Sequence, residues 1–181
     1  MIKASSTLVY IFFNIFKLGS GDAKEVGKGK GEGFVVNIPW NTPGGSTTDA
    51  NITDADYLYA FENVVSPITR EFAPELIIIS AGFDAMKGDK VGKIALSPWI
   101  YYWMTKGLME INPRVLVTLE GGYNLKMLTK GVDSCLRALL GVAIETPTTI
   151  YAEAPTKEAS ESVDRVKAIH QKYWTCMGKH T

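Results

Sequence analysis

The stretch LIIISAGFDAMKGDK, Leu76 to Lys90, decides the fold. It opens on a run of branched apolar residues with no polar alternation. Such a run marks a strand covered on both faces, as in the parallel sheets of α/β proteins. The run ends in small residues, and Phe83 and Asp84 follow at once. Open parallel sheets bind ligands beyond the carboxyl ends of their strands, so a carboxylate at that place is a candidate site residue. Working outward, 115–119 is a second short apolar strand, followed by Glu120, Gly121, Gly122 and Tyr123. Between the two strands, Ser97 and Pro98 read as a cap and a first-turn proline that open a helix. Asn112 and Pro113 end it. Another helix covers 125–140 and closes at Gly141. Upstream, Thr53 or Asp54 caps a helix that carries Asp56 in its first turn. Leu58, Phe61, Val65, Ile68 and Phe72 recur there at three- and four-residue spacing, which predicts one buried face. Pro67 interrupts the pattern and predicts a kink or an early end. Strand, helix, strand and helix in alternation predict an α/β domain with a mainly parallel sheet.

The flanks are less regular. The glycine-crowded segment 19–33 reads as a loop. It leads into FVVNIPW, 34–40, and not into a helix, so neither a dinucleotide-binding glycine loop nor a GxxxxGK(S/T) phosphate loop is present. FVVNIPW itself predicts a strand ended by Pro39, and the polar 41–51 a loop. The segment 145–159 is rich in Thr, Ala, Pro and Glu and reads as a connector. Val163, Val166, Ile169 and Tyr173 then mark a terminal amphipathic helix, with His170 on or near it as a surface or packing residue rather than a metal ligand.

The 181 residues include 46% hydrophobic and 21% charged ones, the composition of a folded chain. Nineteen basic residues balance nineteen acidic ones, so nothing points to a nucleic-acid surface. The aromatics Trp99, Tyr101, Tyr102 and Trp103 have no basic interleaving and read as packing, not as a base-stacking platform. Cys135 and Cys176 form no CxxC, so neither a zinc finger nor a disulfide framework is indicated, and a reducing compartment is the simplest reading. The apolar LVYIFFNIF, 8–16, is too short to span a membrane as a helix. It imitates a signal-peptide core or forms a buried strand or short helix, and the intracellular character of the rest favours the second reading.

By spacing alone, Asp84 and Tyr123 each follow an apolar strand at its carboxyl end. Two readings remain open from the residues. In one, both face a single crevice, where a carboxylate binds a metal or orients a base and a tyrosine hydroxyl donates to an oxygen gaining negative charge. In the other, Asp84 caps the next segment and Tyr123 packs. Gly121 and Gly122 allow a close approach of substrate to the backbone.

SAGFDAMKGD followed by LEGGYNL resembles the C-terminal half of zinc-dependent histone deacetylases, most closely the class II type. VGKGKGEGFVVNIPW and DYLYAFENVVSPITREFAPELIIISAGFD are similar to the same family, over about 19–141. The resemblance implies an arginase-like three-layer α/β fold, a parallel sheet with flanking helices, here incomplete. It implies Asp84 as one of three zinc ligands and Tyr123 as the catalytic hydrogen-bond donor to the acetyl carbonyl. It further implies Gly121 and Gly122 as the flexible turn behind that tyrosine, Val91 at the rim of the acetyl-lysine tunnel, and the Phe34 carbonyl at a structural monovalent cation such as K+. The implied substrates are acetylated histones or other proteins, with transcriptional co-repressors as further partners, in the nucleus or the cytoplasm, without nucleic-acid or membrane binding.

The division that follows is an unmatched segment 1–18, the deacetylase half-domain 19–144, and a linker with terminal helix 145–181. The family site also needs an Asp-x-His zinc pair and a histidine dyad. The sequence holds two histidines, His170 and His180, both beyond the matching region. The chain is therefore expected to be inactive alone, the deacetylase activity belonging to a complete domain. The alternative is a non-catalytic truncated interaction module or a partial gene model. Lys90 replaces the proline usual after Gly-Asp in the family, which bears on the shape of the tunnel rim.

Overall fold

The computed structural model describes residues 8–12, 21–40, 52–92, 94–145 and 153–178. Three strands, β1 (Leu8–Phe12), β2 (Leu76–Ala81) and β3 (Val115–Leu119), form a parallel sheet in the order β1-β2-β3. Leu8 faces Leu76, and Ile77 faces Val115, so the apolar run that decides the fold is the central strand. Ile77 and Ile79 are fully buried, as the unbroken apolar pattern requires. The N-terminal apolar segment supplies a strand over 8–12, while 13–16 lie outside the described residues, as does the expected loop 41–51.

Helix α1 (Asp54–Ala60) starts at Thr53, whose N–H donates to Asp56 Oδ2 at 2.8 Å in a capping box. The helix does not end at Pro67. A single π-helical turn, Phe61–Val65, leads directly into α2 (Ser66–Phe72), and the Ser66 N–H reaches back five residues to the Phe61 carbonyl. The wider turn absorbs one residue, so Pro67 falls in the first turn of α2, where a missing N–H costs little. Helix α3 (Pro98–Ile111) begins at Ser97, whose Oγ accepts from the Trp99 N–H at 3.2 Å, and stops at Asn112. Helix α4 (Leu125–Leu139) packs along α3 and is closed by Gly141 at φ +68°.

Two expectations are corrected. FVVNIPW is not a strand, because no described strand lies beside it. Its amides turn inward instead: Phe34 N–H donates to Gly31 O at 3.1 Å and Val35 N–H to Val26 O at 3.4 Å. Helix α5 (Lys157–His170) begins inside the segment read as connector, because Thr156 caps it by accepting from the Ala159 N–H at 3.2 Å. Asp56 Oδ1 in turn accepts from the Thr156 N–H at 2.7 Å and hydroxyl at 2.9 Å, so one buried carboxylate serves the starts of two helices far apart in sequence.

Two apolar clusters hold these elements. One joins β2 to α3 and α4 through Ile77, Ile79, Phe83, Met86, Ile100, Tyr101, Leu108 and Cys135. The other gathers Val64, Ile68, Val163, Val166, Trp174 and Met177 around α2 and α5. Glu71 fixes the last turn, accepting from Thr175 N–H (2.9 Å), Thr175 Oγ1 (2.7 Å) and Cys176 N–H (2.8 Å). His170 is fully buried beside the second cluster, a packing residue. On the opposite flank Leu116, Leu119, Leu125, Leu136 and Leu140 are exposed, and among the described residues β3 pairs on one side only. Among the described residues no helix is long and apolar enough to cross a membrane.

Candidate functional site

The site lies where β2 and β3 end. After β2 the chain makes one tight 3-10 turn, Phe83–Ala85, that contains Asp84. Tyr101 supports this turn from below: its ring stacks on Phe83 at 4.9 Å and its hydroxyl donates to the Gly82 carbonyl at 2.8 Å. Burial pushes the Tyr101 hydroxyl well above its usual pKa, so it stays a neutral donor. The turn after β3 is tied to the same place. Glu120 N–H donates to Ala81 O at 3.1 Å, and Phe83 N–H to Gly121 O at 2.9 Å.

Gly121 lies against the Asp84 carboxylate, and a Cβ on it would stand 2.9 Å from Oδ2 and 3.0 Å from Cγ. A residue with any side chain there would push the carboxylate aside. Gly122 has φ +140°, a conformation that other residues rarely adopt. The two-glycine turn therefore has a double reason: room for Asp84, then a backbone reversal that presents Tyr123. Asp84 is buried at 8% exposure, whereas Tyr123 stands 59% exposed. The expected pair thus sits on adjoining, hydrogen-bonded turns.

Asp89, which the sequence reading passed over, organises the rim. It is 4% exposed and accepts four N–H groups. Oδ1 takes Val91 at 2.8 Å and Gly92 at 3.3 Å, and Oδ2 takes Tyr123 at 2.7 Å and Asn124 at 3.0 Å. The local half has a sequence signal, an aspartate followed two and three residues later by the N–H groups of a Gly-ended turn. The long-range half has none. Val91 is exposed on this loop, its N–H held by Asp89. Phe34 lies elsewhere: its half-exposed ring meets Phe72 at 5.9 Å and Trp174 at 5.6 Å, in the second cluster.

The donor set does not fit a catalytic zinc centre. Such a centre takes three protein ligands, and among the described residues no three His, Cys, Asp or Glu side chains gather to hold a metal. His170 is buried beside the second cluster against Tyr173, and His180 lies outside the described residues.

A short parallel sheet with helices packed on it carries a buried carboxylate and an exposed tyrosine on joined turns at its carboxyl edge, an α/β arrangement that the solved histone deacetylases it superposes on identify as the arginase and deacetylase type. The family model of the histone deacetylase domain matches residues 6–139, a span that starts ahead of Gly19, and the chain belongs to the histone deacetylase family, with class II relatives. It is 39% identical over 175 residues to histone deacetylase HDA1 of Candida albicans, covering 92% of this chain and 20% of that protein. It superposes on the structure of the histone deacetylase Clr3 with a TM-score of 0.79 at 38% identity, covering 87% of this chain and 25% of that one. The HD domain of HDA15 matches at TM-score 0.76 and 35% identity, with 94% of this chain and 44% of that domain chain covered. The chain spans about a fifth of the length of the curated relatives it matches. The family is in general zinc-dependent.

Proposed function

We propose that this chain is the carboxyl-terminal half of a zinc-dependent lysine deacetylase domain, and that the complete domain hydrolyses the acetyl amide of acetyl-lysine in histones or other proteins. The observation that carries this reading is the joined pair of turns. Phe83 N–H bonded to Gly121 O brings the Asp84 carboxylate and the Tyr123 residue to one edge of the sheet. That is where an open α/β sheet places its ligands. In this reading Asp84 is the single carboxylate that the half contributes to the metal set. The Tyr123 hydroxyl donates to the acetyl oxygen as it gains negative charge, which is worth about 3–4 kcal/mol in the transition state. Gly121 and Gly122 shape the floor beside the tyrosine, and Val91 lines the entrance. The Phe34 carbonyl holds a structural K+. Co-repressor proteins bind the assembled enzyme in the nucleus or cytoplasm.

The described residues alone carry no route for the reaction, because the remaining ligands and a histidine base are absent from the donor set. The test is a complete domain carrying Asp84→Asn or Tyr123→Phe, with bound zinc and turnover measured for each. Asn removes the charge that balances the metal, so zinc content falls along with turnover. Phe removes one hydroxyl, so zinc stays while turnover falls roughly a hundred- to a thousandfold. Full turnover in both variants would end the proposal.

A further inference from the structure

We propose that Asp89 is a positioning residue for Tyr123, and that it couples the rim loop carrying Val91 to the turn carrying the tyrosine, so that the two move as one unit. The inference about catalysis rests on the role proposed above for Tyr123. The coupling itself rests on geometry alone.

The geometry is specific to a carboxylate. Asp89 is 4% exposed, and each of its oxygens accepts from two consecutive amides, one pair on each loop. The Tyr123 and Asn124 amides stand at the start of α4, where N–H groups have no partner within the helix. A negative charge at that end is further favoured by the helix dipole. The Asn124 side chain closes the link from the other direction, donating from Nδ2 to the Gly88 carbonyl at 3.1 Å while its Oδ1 caps Met127 at 3.4 Å. The segment 88–92 and the turn 121–124 are therefore tied at both ends of one short path.

This tie acts on the tyrosine's own amide. With its ring exposed, Tyr123 takes its direction from its backbone, and the backbone is held by Asp89. A substrate group that shifts Val91 changes the bonds at Oδ1, and through the same carboxylate those at Oδ2. Asn at this position cannot substitute. It offers one acceptor oxygen where the site uses two, and its amide nitrogen would face two N–H donors. One loop must be released.

The experiment is amide hydrogen exchange by NMR on the 181-residue chain. In the unsubstituted chain the Tyr123 and Asn124 amides, although outside the intrahelical ladder, are expected to be protected about as well as the interior of α4. Scalar couplings through the hydrogen bonds should connect their nitrogens to the Asp89 carboxylate carbon. In Asp89→Asn, exchange should speed up about ten- to a hundredfold at one or both loop pairs, while β2 amides keep their rates. Unprotected Tyr123 and Asn124 amides in the unsubstituted chain overturn the proposal, and this result is available even if Asp89→Asn does not fold. So does a variant in which every amide accelerates equally, or none does. If the coupling is present but a complete domain tolerates Tyr123→Phe, the coupling stands and the deacetylase reading falls. If the coupling is absent and Tyr123→Phe is inactive, the reverse holds.

Discussion

Gly92→Ala should be the most damaging single-methyl change on the rim, and Gly31→Ala a benign one. A Cβ on Gly92 would stand 2.0 Å from the Asp84 carbonyl oxygen and 2.5 Å from its carbon, both backbone atoms that cannot rotate away. A Cβ on Gly31 meets nothing within 4 Å, and neither glycine has a left-handed φ. Both substitutions lower the entropy of the unfolded chain alike, a gain of about 0.4–1 kcal/mol. At Gly92 the methyl must displace the turn that holds Asp84, at the upper end of the about 1–3 kcal/mol that overpacking costs, or beyond it. The net loss is about 2 kcal/mol or more. With a urea slope of about 2 kcal/mol per M, the midpoint falls by about 1 M, while that of Gly31→Ala holds or rises slightly. Urea titration of the 181-residue chain followed by tryptophan fluorescence reads both. Equal midpoints for the two variants would show that the 89–92 loop does not press on the Asp84 backbone, and the account of the rim would fail.

Further outcomes follow from the carboxylates and the thiols. Burial pushes the Glu71 carboxyl up, but hydrogen bonds from Cys176 and Thr175 outweigh it and bring it down to about 2. A carboxyl depressed on folding lends stability above its unfolded value, so docking of the last turn should weaken as pH falls from about 4.5 towards about 2. Glu71→Gln should flatten that dependence, read from the fluorescence of Trp174, and an unchanged acid profile would count against the latch. Burial, with Glu71 beside it, pushes the Cys176 thiol up to about 12. Iodoacetamide should therefore label it slowly at neutral pH and faster in Glu71→Gln, and equal rates would contradict this. The exposed leucines at β3 and α4 should make the isolated chain self-associate or bind a hydrophobic dye, and a strictly monomeric, dye-free chain would contradict that surface.

Much of the fold was legible because its signals are local. The wholly apolar run gave β2, the Ser97-Pro98 and Asn112-Pro113 pairs bounded α3, and Gly141 closed α4. The positions of Asp84 and Tyr123 were legible for the same reason, each standing just after an apolar strand. What escaped depends on partners remote in sequence. FVVNIPW has strand-like residues, but a strand exists only beside another, and its amides bond to the preceding loop instead. Pro67 announced a disturbance without saying that a π turn would absorb it. Asp56 bonding to Thr156 and Asp89 bonding to Tyr123 join segments that no local pattern connects. Phe34 was singled out by its motif, while its aromatic neighbours Phe72 and Trp174 both lie far along the chain from it.

On the function proposed above, the described residues carry one side of a deacetylase site and not a whole one. The direct measurement is turnover of an acetyl-lysine peptide by the purified 181-residue chain with zinc added. A rate no greater than zinc alone is expected, because among the described residues one carboxylate and one tyrosine supply neither three zinc ligands nor a histidine base. Turnover well above that control, abolished by a hydroxamate, would contradict it.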